Sequence, residues 1–87
     1  MAEPQHLNNH HTRTLEQIQQ HPTSHNVEYR DTVSLLETIA DETVQDGNRV
    51  RFVLAGTELV LSRPSDGKDL DVQQVVDVRA FVAHGGY

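Results

Sequence analysis

From Arg49 to Ala55 the chain alternates between apolar and polar side chains. Val50, Phe52 and Leu54 fall on one side of an extended backbone, and Arg49, Arg51 and Val53 fall on the other. A period of two marks a strand with one buried face. Ala55-Gly56-Thr57 turns the chain, after which Leu59 and Leu61 return to the apolar side while Glu58, Val60 and Ser62 go outward. Upstream, Thr43-Val44-Gln45 reads as a short strand, joined to the next by the hairpin pair Asp46-Gly47.

Helical spacing flanks this β segment. Tyr29, Val33, Leu36 and Ala40 recur on one face, and Leu35 and Ile39 widen the stripe, which predicts an amphipathic helix over Val27–Ala40. Asn26 suits its N-cap, and Glu28 suits the positive end of its dipole. Pro64 and Gly67 mark a loop. Beyond it, Val75, Val78 and Val82, with Phe81 beside them, predict a last helix over Val72–Ala83, capped by Asp69 or Asp71 and ended by Gly85. A shorter helix over Leu15–Gln20 is predicted near the N-terminus. Thr12 or Thr14 caps it, Gln17 stands at capping-box distance from Thr14, and Leu15 and Ile18 share a face. Pro22 ends it, because the residue before a proline is driven out of the helical region.

The order helix, helix, strand, strand, strand, helix predicts an α+β fold. Short connections and one apolar sheet face give a three-stranded antiparallel meander with the helices packed on one face. At 87 residues the chain makes one small domain. Residues 1–11 are polar apart from Met1, Ala2, Pro4 and Leu7 and read as a flexible tail, leaving 12–87 as the folded unit. There is no cysteine, which excludes disulfides and thiolate metal sites. The N-terminus carries no apolar run of the signal-peptide kind, and no stretch is long enough to span a bilayer. A cytoplasmic location without membrane association is the expectation.

Charge narrows the function classes. Seven basic residues stand against thirteen acidic ones, a net charge of -6, which disfavours general nucleic-acid binding through phosphate contacts. Arg49, Arg51, Arg63 and Lys68, however, all fall in the hairpin or the loop after it. Forked guanidinium groups match phosphate oxygens, so these four are the candidate RNA-binding residues. The competing reading is that exposed strands carry charge simply to deter edge pairing. Arg79 on the last helix reads as solvent-facing, or as a partner for Asp77 or the sheet.

Two short runs bear on chemistry. Gly47-Asn48-Arg49-Val50-Arg51-Phe52 opens the hairpin, and Ser65-Asp66-Gly67-Lys68-Asp69-Leu70 leads into the last helix. Together they resemble the HicA toxins, small bacterial mRNA interferases whose corresponding elements read Gly-Ser-His-His-x-Phe and His-Pro-Gly-Lys-Glu-Leu. The glycines, Phe52, Lys68, the acid at Asp69 and Leu70 match, over a resemblance running from Tyr29 to Gly86. The histidines do not: Arg49 and Val50 stand at the histidine pair, and Ser65 at the later one. The resemblance implies a fold like that of double-stranded-RNA-binding domains, with an RNA-cleaving histidine on the sheet and a HicB-like antitoxin as partner. Imidazole suits that task because it exchanges protons near neutral pH. Arginine keeps its proton and is a very poor general base.

No catalytic residue is therefore assigned. His84 reads as a helix C-terminal cation, and His6, His10 and His11 lie in the tail. His21 and His25 are four apart but separated by Pro22, which breaks any shared helix, so they suit turn and cap roles better than a metal. No metal and no cofactor is expected. The leading expectation is a catalytically degenerate HicA-like protein that binds structured RNA or a protein partner. Against it stand an active interferase with a relocated catalytic group and a protein-interaction module without RNA contact.

Overall fold

A computed structural model of the chain describes residues 7–20, 23, 26–65 and 68–87. The chain runs α1 (Asn9–Gln19), α2 (Tyr29–Ile39), β1 (Glu42–Asp46), β2 (Arg49–Leu54), β3 (Thr57–Ser62) and α3 (Val72–His84). This is the α+β order expected from the hydrophobic pattern. The three strands form one antiparallel sheet in the order β1-β2-β3. Phe52, at the centre of β2, pairs with Thr43 on one side and Leu59 on the other.

The two turns set the register. Asp46 pairs with Arg49, so the first turn is Gly47-Asn48 and not Asp46-Gly47. Gly47 has φ +61, the left-handed conformation that a II′ hairpin asks of its first central residue. Leu54 pairs with Thr57, which leaves Ala55 and Gly56 to turn with φ 51 and 80. Two positive φ values in succession mark a I′ turn.

The inner face of β2 is as the alternation requires: Val50, Phe52 and Leu54 are buried, and Leu61 of β3 joins them. α2 packs on β2 and α3 on β3, while α1 packs on α2 and α3. The cluster closes over Ile18, Leu35, Leu36, Val75, Val78 and Val82, all fully buried. On α2 the buried stripe is Thr32, Leu35, Leu36 and Ile39, with Tyr29 and Val33 at its margin. Thr32 tolerates burial because its hydroxyl donates to the Glu28 carbonyl, 2.9 Å away.

Helix ends differ from expectation in instructive ways. α1 begins at Asn9, and its cap is Asn8, whose side chain accepts from the His11 amide at 2.8 Å. Thr12 and Thr14 are thus interior helical residues, and part of the segment read as a tail belongs to the first turns of α1. Asn8 prevails because it lies one helical turn further out and meets the cap geometry. At α2 the cap position falls to Glu28, whose side chain makes no cap hydrogen bond, and not to Asn26. The segment before it is held in extended form: the Leu70 amide donates to the Val27 carbonyl and the Tyr29 amide to the Lys68 carbonyl, each at 2.8 Å. That pairing delays the helix by two residues. α3 has a full capping box between Asp71 and Gln74. At its other end the Tyr87 amide reaches the Val82 carbonyl and the Gly86 amide the Ala83 carbonyl, with Gly86 at φ +92. This is a Schellman ending with Gly85 at the C-cap, as expected, and Gly86 in the left-handed position after it.

Candidate interaction surface

The side of the sheet away from the helices is open. Its side chains form three cross-strand rows: Glu42, Val53 and Glu58; Val44, Arg51 and Val60; Asp46, Arg49 and Ser62. Arg51 thus stands between two valines that are 37% and 46% exposed, as Val72 and Val76 of α3 also are to a similar degree. Arg51 donates from Nη1 to Glu58 Oε2 at 3.0 Å, an ion pair across the face that water screens. Val44, Gln45, Asp46, Arg49, Arg51 and Val60 line a shallow groove there.

Two guanidinium groups on this face meet three carboxylates, those of Glu42, Asp46 and Glu58. The face is therefore amphipathic and mildly acidic. Arg49 is the cross-strand partner of Asp46, with no ion pair between the two.

Arg63 and Lys68 do not join Arg49 and Arg51 in one patch. Following Ser62 on the outer face, Arg63 turns to the helix side, where it lines a cleft with Tyr29, Arg30, Val33 and Val50. Lys68 meets it in an adjoining cleft with Glu28 and Pro64, its Nζ 4.0 Å from Glu28 Oε2. The extended pairing of residues 27–29 with 68–70 is what brings Lys68 to the start of α2. Burial holds the Tyr29 hydroxyl above the ordinary tyrosine range, with Arg63 pulling it the other way. The four basic candidates are thus split in pairs between two sides of the molecule. Arg30 belongs with the second pair. Its sequence neighbourhood, an acidic helix start, gave no signal of that grouping.

The described histidines lie away from the open face. His11 is 9% exposed and its Nε2 is 3.0 Å from Ser34 Oγ, while His10 Nε2 is 3.1 Å from Asp31 Oδ1, so both fasten α1 to α2. His84 ends α3 with Nε2 3.1 Å from the Ala55 carbonyl, at the β2–β3 turn. His6, His21 and His25 lie outside the described residues, as do Asp66 and Gly67 of the second HicA-like run. Phe52 and Leu70, which carry part of that resemblance, are buried, so their place in the pattern is one of packing. Among the described residues no group of His, Asp and Glu is gathered in a way that could hold a metal, and no helix is long and apolar enough to cross a membrane.

Arg79 has a role that the sequence did not disclose. Its Nε donates to the Ile18 carbonyl at 2.9 Å, and one Nη to the Gln20 carbonyl and the Thr23 hydroxyl at 3.1 and 3.0 Å. It closes the C-terminal end of α1, where the helix dipole favours a cation.

No family model, no curated protein and no solved structure matches the chain.

Proposed function

We propose that this chain is a non-catalytic binding module of HicA-like build that docks a protein partner on the open face of its sheet. The observation that carries this reading is the central row Val44–Arg51–Val60, two exposed valines flanking an arginine already paired to Glu58. An apolar centre rimmed by charges of both signs suits a protein surface. A surface for RNA needs a field of unanswered cations, and here the carboxylates outnumber the guanidinium groups. The lack of nuclease chemistry rests on Arg49 standing where the HicA-like pattern has its histidine, since arginine does not exchange protons near neutral pH.

A photo-crosslinking residue placed at Val60, compared with one at the exposed Val76 of α3, tests this in native cells. The expected result is a discrete protein adduct at position 60 only, lost when Val44→Asp is added, with the identified partner binding the purified chain in a direct titration. An adduct that nuclease digests would replace the protein partner with RNA. Equal labelling at both positions would remove the open face as a docking site.

A further inference from the structure

β1 is exposed at all five positions, on both of its faces. It is an edge strand, and the helices pack on β2 and β3 instead. Its outer-facing side chains are Glu42, Val44 and Asp46. Neither carboxylate is ion-paired among the described residues, although Arg49 lies one strand away from Asp46.

An open edge offers backbone donors and acceptors to any extended chain. A second copy of this chain is a poor occupant. A full-length antiparallel β1–β1 pairing about Val44 would set Glu42 opposite Asp46 at both ends, and directly opposed like charges destabilise a sheet. The edge is thus guarded against itself by two acids, and those same acids select an opposite pattern. We infer that β1 takes up an extended segment of another protein with the pattern basic–x–apolar–x–basic, added as a fourth strand. The basic side chains lie beside Glu42 and Asp46, and the apolar one lies beside Val44. The added strand extends the valine row of the open face, and the palindromic pattern suits either strand direction. This inference rests on the protein-docking reading above and names the partner segment.

The test uses the isotope-labelled full chain and a capped heptapeptide, Ser-Lys-Thr-Val-Thr-Lys-Ser, followed by amide shifts and amide hydrogen exchange. The expected result is that shifts centre on residues 42–46 and exchange slows there. Replacing both lysines with glutamate should weaken binding at least tenfold. In the chain carrying Glu42→Lys with Asp46→Lys, whose spectrum elsewhere should be unchanged because both positions are exposed, the preference should reverse toward the glutamate peptide. Backbone N-methylation on the pairing edge of the peptide should abolish binding. If the N-methylated peptide binds equally well and shifts stay on Val44, Arg51 and Val60, the edge inference falls while face docking survives. If no shift appears in β1 at millimolar peptide, the edge inference falls as well, and the crosslinking at Val60 decides the face separately.

Discussion

Arg79 shows how much one side chain can do at a distance. Its three hydrogen bonds join α3 to the end of α1 and the residues just after it, across 56 to 61 positions of sequence. Arg79→Lys keeps the charge but cannot make the fork, so a loss of about 1–3 kcal/mol is expected in chemical denaturation, in line with hydrogen bonds to a charged group. Amide exchange should rise selectively over α1. A loss spread evenly over all helices would point to general destabilisation instead. Nothing local in the sequence encodes this contact: a helix-surface arginine beside Asp77 looks the same whether it faces water or a neighbouring helix. Ala55 is a second residue with a definite cost. It takes the left-handed conformation at φ 51 in the β2–β3 turn, where an L-residue with a Cβ is strained by about 1–2 kcal/mol. Asparagine tolerates that region and is preferred before glycine in a I′ turn, so Ala55→Asn should raise the denaturation midpoint by about 0.5–1 kcal/mol of stability. A fall in stability would mean that the alanine methyl or the Asp41 carboxylate bonding its amide matters more than the backbone strain.

At the scale of elements, the strands were the most legible part of the chain. The two-residue period of β2 fixes which side chains go inward, and the burial of Val50, Phe52 and Leu54 follows from it. Phe52→Ala should cost about 3–5 kcal/mol, measured by denaturant unfolding, because it removes the largest fully buried side chain at the centre of the sheet. A loss under about 1 kcal/mol would contradict its place in the core. Helix existence was equally legible, but helix ends were not. Asn26 is a good cap in isolation, yet the extended pairing of 27–29 with 68–70 keeps the chain out of the helix until Tyr29. Asn8 does not stand out as a cap in the sequence because a polar N-terminal run looks like a tail, whereas the burial of His11 and Thr14 against neighbouring elements makes the segment after it helical. Tertiary contact decided both cases, and local propensity was only a weak prior.

On the scale of the whole molecule, the question is whether four cations can act as one nucleic-acid surface on a chain of net charge -6. Sequence places them close together along the chain, but strand alternation sends Arg49 and Arg51 to the open face and Arg63 to the helix side. That separation was legible in principle, since successive strand residues face opposite ways; the position of Lys68 and Arg30 beside Arg63 was not, because it depends on a loop pairing. A duplex can engage only one side at a time, so about two phosphates are neutralised on the open face, or about three on the side of Arg30, Arg63 and Lys68. The log–log salt slope for duplex RNA should then be no steeper than about -3, with binding detectable only at low salt. Arg49→Glu with Arg51→Glu should remove only part of that binding, since Arg63, Lys68 and Arg30 retain a separate site. A fluorescence titration between low and moderate salt decides this: a slope near -4, collapsed by the double substitution, would show all four cations working on one surface and would restore RNA as the ligand. The same preparation should leave an mRNA pool uncleaved above background, because the position matching the HicA-like histidine holds an arginine that cannot shuttle a proton. Cleavage that persists through purification and is lost in His84→Ala would locate a base at the end of α3 and overturn the non-catalytic reading.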